Sequence, residues 1–333
     1  TTGSGDHPGS EPEIDAAIRA IRARPNICGF NAYHTSGGVL LRPSSTKADA
    51  ALPVVDVWAW NELGKRGTEL TNYPVHSVYE DFTWDKTHTM AGASDDWAYE
   101  HLGIYSWTTE FWDVQYAATG ERAPTNWWYF GPTPEVELGV LRWYDSRRND
   151  VGGGRQAFVD WYAFDHPQLG PVELGGWNFV FAWSNAPLDL LRDEVTGHAD
   201  FAVHQALAAP CLAIRLAESE RVGDDVWRVR VGIANTGWLP TTVTAHAERE
   251  NLVLPITAEL VLPAGAESIG GPARTTLGQL GGGLTIRLRG EANDGTPDRT
   301  LATWTVRGTT GQTVSVEVRH PRAGVARATL ALD

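Results

Sequence analysis

Gly92-Ala93-Ser94-Asp95-Asp96-Trp97-Ala98-Tyr99, followed by Gly103-Ile104-Tyr105-Ser106-Trp107-Thr108-Thr109-Glu110-Phe111, is the stretch on which the reading of this chain turns. Its first part is small and acidic, as a loop entering a helix is. Its second part, from Ile104 to Phe111, is rich in β-branched and aromatic residues and reads as a strand buried on both faces. Glu110 stands at the tail of that strand, which otherwise carries no charge. An ionised carboxylate in such a place must be paired, hydrogen-bonded or shifted in pKa. The carboxyl ends of buried strands in open α/β sheets are where chemistry collects. Glu110 is therefore a candidate catalytic carboxylate; a strand-end Glu facing solvent is the plain alternative. Thr108, two residues earlier, shares its face of the strand.

Upstream, Ser10-Glu11-Pro12-Glu13 reads as a helix start, with Ser10 as N-cap and Glu13 as its capping-box partner. Ile14, Ala17, Ile18 and Ile21 recur at helical spacing until Arg24-Pro25-Asn26. Ile27 to Tyr33 reads as a strand, and His34 follows it directly, before a Gly37-Gly38 pair. His34 is either a turn histidine bonded to backbone or a metal ligand. Residues 43 to 90 read as a long irregular excursion with one short helical pattern over Val55 to Leu63. Excursions of that length are usually lids or rims.

Downstream, residues 112 to 187 are aromatic and interrupted by Pro and Gly. Asp165-His166-Pro167 within them fits an acid–base pair or a turn, and the proline favours the turn. Asn185-Ala186-Pro187 opens a helix expected to run to about Ala209. From Cys211 the pattern changes to short alternating strands, at 213–216, 227–231, 258–262, 285–288, 303–306, 314–318 and 326–332, separated by turns at sandwich-like spacing. The expected organisation is an α/β mixed-sheet domain over 1–210 and an all-β sandwich over 211–333.

The totals bound the partners. The chain has 333 residues, enough for two domains, and a formal net charge of −14. That charge argues against nucleic acid or an anionic membrane, which need basic surface. No apolar run is long enough to cross a bilayer, and no signal-peptide pattern opens the chain, so a soluble protein, secreted or cytoplasmic, is expected. The start Thr1-Thr2-Gly3-Ser4-Gly5 reads as a trimmed or truncated terminus. Cys28 and Cys211 make no framework, though one bridge between them stays open. Fifteen Trp, among them Trp58, Trp84, Trp127, Trp128 and Trp161, suggest carbohydrate stacking if exposed and core packing if buried.

Four segments, Ser10-Glu11-Pro12-Glu13, Tyr33-His34-Thr35-Ser36-Gly37, Ser94-Asp95-Asp96-Trp97-Ala98-Tyr99 and Tyr105-Ser106-Trp107-Thr108-Thr109-Glu110, occur in an order and rough spacing that resemble the zinc metallocarboxypeptidases of the carboxypeptidase A/B type. The β-rich tail looks like that of long bacterial members with an appended sandwich. The resemblance implies a partial zinc carboxypeptidase-like fold, a peptide substrate and a zinc cofactor. It implies that His34 is a metal ligand and that Glu110 takes a proton from water and passes it to the leaving amine. It also implies that Asp95 sits at the bottom of a side-chain pocket favouring C-terminal Lys or Arg, with Thr108 lining it. Asp95-Asp96 capping a helix that enters at Trp97 fits the same residues.

The family's remaining parts have no counterpart. None of the ten histidines has a Glu three residues later, so the His-x-x-Glu metal motif is missing. The upstream Asn and Arg that grip the substrate's terminal carboxylate are missing too. His88 and Thr89 stand near the place of the family's flexible tyrosine. The expectation is the carboxyl-terminal part of a zinc carboxypeptidase, with an incomplete zinc site and no hydrolysis on its own. A reading from another class is a catalytically dead, aromatic-lined module for cell-wall sugar or peptide. No site is recognisable in the tail, and the sequence does not specify an oligomeric state.

Overall fold

The computed structural model describes residues 5–7, 9–83, 85–87, 90–122, 124, 131–285 and 296–333. Trp84, His88, Thr89, Trp127, Trp128 and residues 286–288 of one expected strand lie outside the described residues. The chain divides into two compact units. One gathers Thr1–Phe30, Ala98–Tyr105 and His204–Asp333; the other gathers Asn31–Trp97 and Ser106–Val203.

The second unit is built on a mixed sheet. Its strands are β1 (Gly29–Thr35), β2 (Val39–Arg42), β3 (Val75–Ser77) and β4 (Tyr105–Phe111), in the spatial order β1-β4-β2-β3. β2 runs antiparallel to β4 and parallel to β3. β4 is buried as its composition predicts, with Trp107 fully enclosed. His34 lies within β1 rather than after it. The turn from β1 to β2 needs glycine: Gly38 has φ +63°, and a Cβ there would lie 2.7 Å from Asp113 Cβ.

Within the excursion expected over residues 43 to 90, the short helical pattern over Val55 to Leu63 is a much longer helix, the 18 residues of Val54–Thr71. Gly64 and Gly67, which break the helical pattern on paper, are its contact points with neighbours. A Cβ at Gly64 would lie 2.9 Å from Val75 and 3.1 Å from Trp107, and one at Gly67 would lie 2.8 Å from Leu40. The Leu191–Leu207 helix packs on the same face of the sheet, with Phe201 edge-on to Trp107 at 5.4 Å. Trp112, Val140, Tyr144 and Trp183 belong to a separate apolar cluster. His166 does make the expected turn: its Nδ1 accepts the N–H groups of Gln168 and Leu169.

In the first unit, the opening helix runs Pro12–Arg22 with Glu11 at the N-cap position and no side-chain cap. Ser10 is not the cap; its hydroxyl donates to the Glu11 carboxylate at 2.7 Å. Pro12 fixes the start instead, because its locked φ suits a first turn and its missing N–H would have no intrahelical partner. Two antiparallel four-stranded sheets follow. One pairs Leu212–Gly223, Val226–Asn235, Arg299–Arg307 and Glu267–Ser268; the other pairs Arg274–Gly278, Ile256–Val261, Thr313–His320 and Gly324–Ala331. Alternate residues of both, such as Val229, Val231, Trp304, Ala258, Val316 and Val318, meet in one apolar cluster. Period-two patterning is what lets each strand bury one face. Arg322, between the last two strands, donates to the carbonyls of Leu102, Gly103 and Thr242.

Cys28 and Cys211 are both free thiols, so the bridge that the sequence left open is not made. Trp60, Trp107, Trp112, Trp183, Trp227 and Trp304 are core residues, whereas Trp58 and Trp161 are exposed. No described helix is long and apolar enough to cross a membrane.

Candidate functional site

Strand pleating sorts the side chains of β4. Trp107 and Phe111 point toward the Val54–Thr71 and Leu191–Leu207 helices, where Phe111 meets His198 at 4.5 Å and Trp107 meets Phe201. Ser106, Thr108 and Glu110 therefore point to the opposite face. The Ser94–Leu102 helix begins on that face: the Ser106 hydroxyl donates to the Asp95 carbonyl at 2.8 Å. In β1, Tyr33 stacks against Phe111 at 5.4 Å. His34, the next residue, points the other way, onto the face of Thr108 and Glu110.

Glu110 is half-buried, and its Oε2 has no hydrogen-bond partner. Across the ladder its register partner is Val39. Val39 belongs to an apolar cluster with Leu41 and Val78, on which Phe82 and Met90 pack. Removal from water disfavours the ionised form, and the Glu110 carboxyl is pushed up to about 7. Of the three outcomes open to a carboxylate in this place, the chain adopts the shifted pKa. A carboxyl poised there accepts and returns a proton near neutral pH.

Asp95 is almost fully enclosed, at 1% exposure. Its Oδ1 accepts the Asp96 N–H at 3.0 Å, and its Oδ2 has no hydrogen-bond partner. Burial pushes its pKa up, against the Asp96 N–H, the Thr108 hydroxyl and the His34 imidazole, which favour the charged form. Thr108 and, at longer range, His34 thus act on Asp95 electrostatically. The helix begins at Ser94, so Asp95 and Asp96 stand in its first turn and suit its positive end. Asp96 is used differently from its neighbour: both of its oxygens accept the Ser45 N–H at 3.0 Å.

His34 is exposed at its strand end. Among the described residues no group of three or more His, Cys, Asp or Glu side chains stands close enough to hold a metal ion. One imidazole does not make a zinc site, which takes three or four protein ligands. The donor set of the described residues therefore does not fit a zinc ion.

Three residues near this site escaped the sequence reading. Val39 reads as an ordinary strand residue, and only the register sets it beside Glu110. Tyr73 and Glu194 lie 121 residues apart, and the Tyr73 hydroxyl donates to the Glu194 carboxylate behind β4. Nothing local in either segment signals that meeting.

Comparison with known proteins adds a family likeness. No curated protein matches the chain. A crystal structure of Amycolatopsis orientalis exo-chitosanase CsxA is similar over 54% of this chain and 19% of its own, at 14% identity and a TM-score of 0.19. The chain thus spans about a fifth of that protein, and a likeness so slight carries no argument about fold or activity. The zinc carboxypeptidase family model matches residues 1–126, which hold all four of the site residues described above. Residues 211–331 match a domain of unknown function (DUF8731). Residues 1–126 of this chain are thus similar to the zinc carboxypeptidase family, and a stretch similar to a domain of unknown function follows at 211–331.

Proposed function

We propose that residues 1–126 carry the proton-transfer carboxylate and the acidic side-chain pocket of a carboxypeptidase site, with basic C-terminal residues as the preferred substrate. The observation that supports this best is Glu110: a carboxyl at a strand end, desolvated by Val39 and its neighbours, on the same sheet face as His34, Thr108 and Asp95. In this reading Glu110 accepts a proton from the attacking water and returns it to the departing amine. The free Oδ2 of Asp95 receives a Lys or Arg side chain through a charge-assisted hydrogen bond, with Thr108 orienting the carboxylate. His34 brings one imidazole to the same face. Because the described residues do not complete a zinc site, this chain by itself binds zinc weakly and does not hydrolyse peptides. In this reading residues 211–333 form a β-sandwich accessory domain.

The test uses the 333-residue chain and the product of the full reading frame that encodes it. The expected result is sub-stoichiometric zinc and no release of C-terminal residues for the former. For the latter it is zinc-dependent release of Lys or Arg, abolished by Glu110→Gln. Hydrolysis by the full product that survives Glu110→Gln would overturn the assignment. So would tight zinc binding and turnover by the 333-residue chain.

A further inference from the structure

Among the described residues no neighbouring side chain aims Glu110 through its buried Oε2, which makes no hydrogen bond. Its direction is set by the backbone that carries it, and that backbone is pinned on both sides. The Gly38 N–H donates to the Glu110 carbonyl at 2.8 Å, and the Gly37 N–H donates to the Trp112 carbonyl at 2.8 Å. From behind the sheet, the Trp112 N–H is shared between the Tyr73 hydroxyl at 2.8 Å and Glu194 Oε1 at 3.0 Å. The Tyr73 hydroxyl completes the triangle by donating to that same Glu194 oxygen.

The pinned residue is strained. Trp112 has φ +69°, a left-handed conformation that a bulky L-residue seldom adopts. Such a conformation persists only where surrounding contacts over-determine it. The contacts here are a half-buried carboxylate acceptor, stronger than a neutral one, and the tyrosine that orients it. Around them, His198 packs edge-on against Tyr73 at 4.6 Å and Phe111 at 4.5 Å, and the Arg122 guanidinium lies 5.7 Å from the Tyr73 ring centre. Phe111, the residue between Glu110 and Trp112, is thereby held as well.

We infer that Tyr73 and Glu194 are positioning residues for Glu110: they lock Trp112 in the left-handed turn that ends β4, and so fix the carboxylate on the face it shares with Asp95 and His34. The inference rests on reading Glu110 as the proton-transfer group, yet its first test needs no activity. In the 333-residue chain the titration of the Glu110 carboxyl is followed by carbon-13 NMR, with amide exchange at Trp112, in wild type, Tyr73→Phe, Glu194→Gln and Tyr73→Phe/Glu194→Leu. A loosened strand end admits water to the carboxyl, so the double variant is expected to titrate about one unit lower. Its Trp112 amide is expected to exchange on the order of a hundredfold faster. Glu194→Gln keeps an acceptor but loses its charge, and is expected to fall between wild type and the double variant.

A melting temperature that falls while Glu110 titrates unchanged would make the pair merely structural and end the proposal. If the double variant does not fold, Tyr73→Phe alone decides by the same two readings. In the product of the full reading frame, Tyr73→Phe is expected to lower kcat about tenfold with KM unchanged. Activity that survives Glu110→Gln would remove the catalytic reading and leave the titration result standing.

Discussion

Val39 faces Glu110 directly across the antiparallel pair β2–β4, so the one charged residue of a buried strand has an apolar residue as its ladder neighbour. Cross-strand neighbours on one face are the closest contacts a sheet provides. Val39 also belongs to the cluster with Leu41 and Val78. The environment of the carboxyl is therefore a property of register, and the raised pKa of Glu110 follows from it.

A carboxyl whose pKa is raised on folding destabilises the native state when it ionises. The contribution is absent below the unfolded value of 4.5 and is felt in full as pH rises through about 7. Glu110→Gln is therefore expected to gain about 2–3 kcal/mol over wild type at pH 8 relative to the difference at pH 4. Urea denaturation at the two pH values measures it. An equal difference at both would show that Glu110 titrates normally.

Val39→Thr keeps the β-branched shape and puts a hydroxyl beside the carboxylate. A donor to the charged form lowers a pKa, so Glu110 is expected to titrate about one unit lower, with the melting temperature lowered by a few degrees because a hydroxyl enters an apolar cluster. Carbon-13 NMR titration of the glutamate carboxyls reads it. A Glu110 that stays near its wild-type value would mean that Val39 is not what dries it.

Asp95→Asn keeps the shape of the pocket floor and removes its charge. In the product of the full reading frame it is expected to lower kcat/KM for peptides ending in Lys or Arg about tenfold or more, with peptides ending in Leu or Phe little affected. Equal losses on both classes would assign Asp95 to the helix start alone.

His198 is buried between Tyr73 and Phe111 with both ring nitrogens unpartnered, and burial pushes its pKa down to about 4. Its neutral form supports the fold at pH above 6.5, and that support is lost as pH falls toward about 4. The loss is about 3 kcal/mol for a shift of this size. His198→Leu is expected to flatten the pH dependence of unfolding over that window. A slope identical to wild type would place the acid sensitivity elsewhere.

Gly197 lies within the Leu191–Leu207 helix, where propensity alone favours alanine by about 1 kcal/mol. A Cβ there would stand 2.2 Å from the Leu70 carbonyl oxygen, which is backbone and has nowhere to go. Gly197→Ala is therefore expected to destabilise by about 2–4 kcal/mol, with the sign opposite to propensity. Thermal or urea unfolding gives the answer, and a stabilised variant would show that the two helices sit further apart.

Composition and period carried much of this molecule. β-branched and aromatic density made β4 legible as a buried strand, and alternation made most tail strands legible, because those signals lie in consecutive residues. The helix over Val54–Thr71 was legible only from Val55 to Leu63, because Gly64 and Gly67 look like breakers until the side chains they admit, Val75, Trp107 and Leu40, are in place. The helix start at Pro12 was misplaced because a capping-box pattern competed with a proline at the first position.

The sequence by itself determined that one carboxylate ends a buried strand, that an imidazole stands near the end of another strand and that an acidic pair opens the helix between them. It also carried the likeness of residues 1–126 to the zinc carboxypeptidase family. Only the tertiary structure decided that Thr108 and His34 act on Asp95, that Val39 stands opposite Glu110, and that Tyr73 and Glu194 grip Trp112 from behind. The physical reason is that strand identity is written in neighbouring residues. Register, pleat side and long-range hydrogen bonds depend on which distant segments the fold brings alongside.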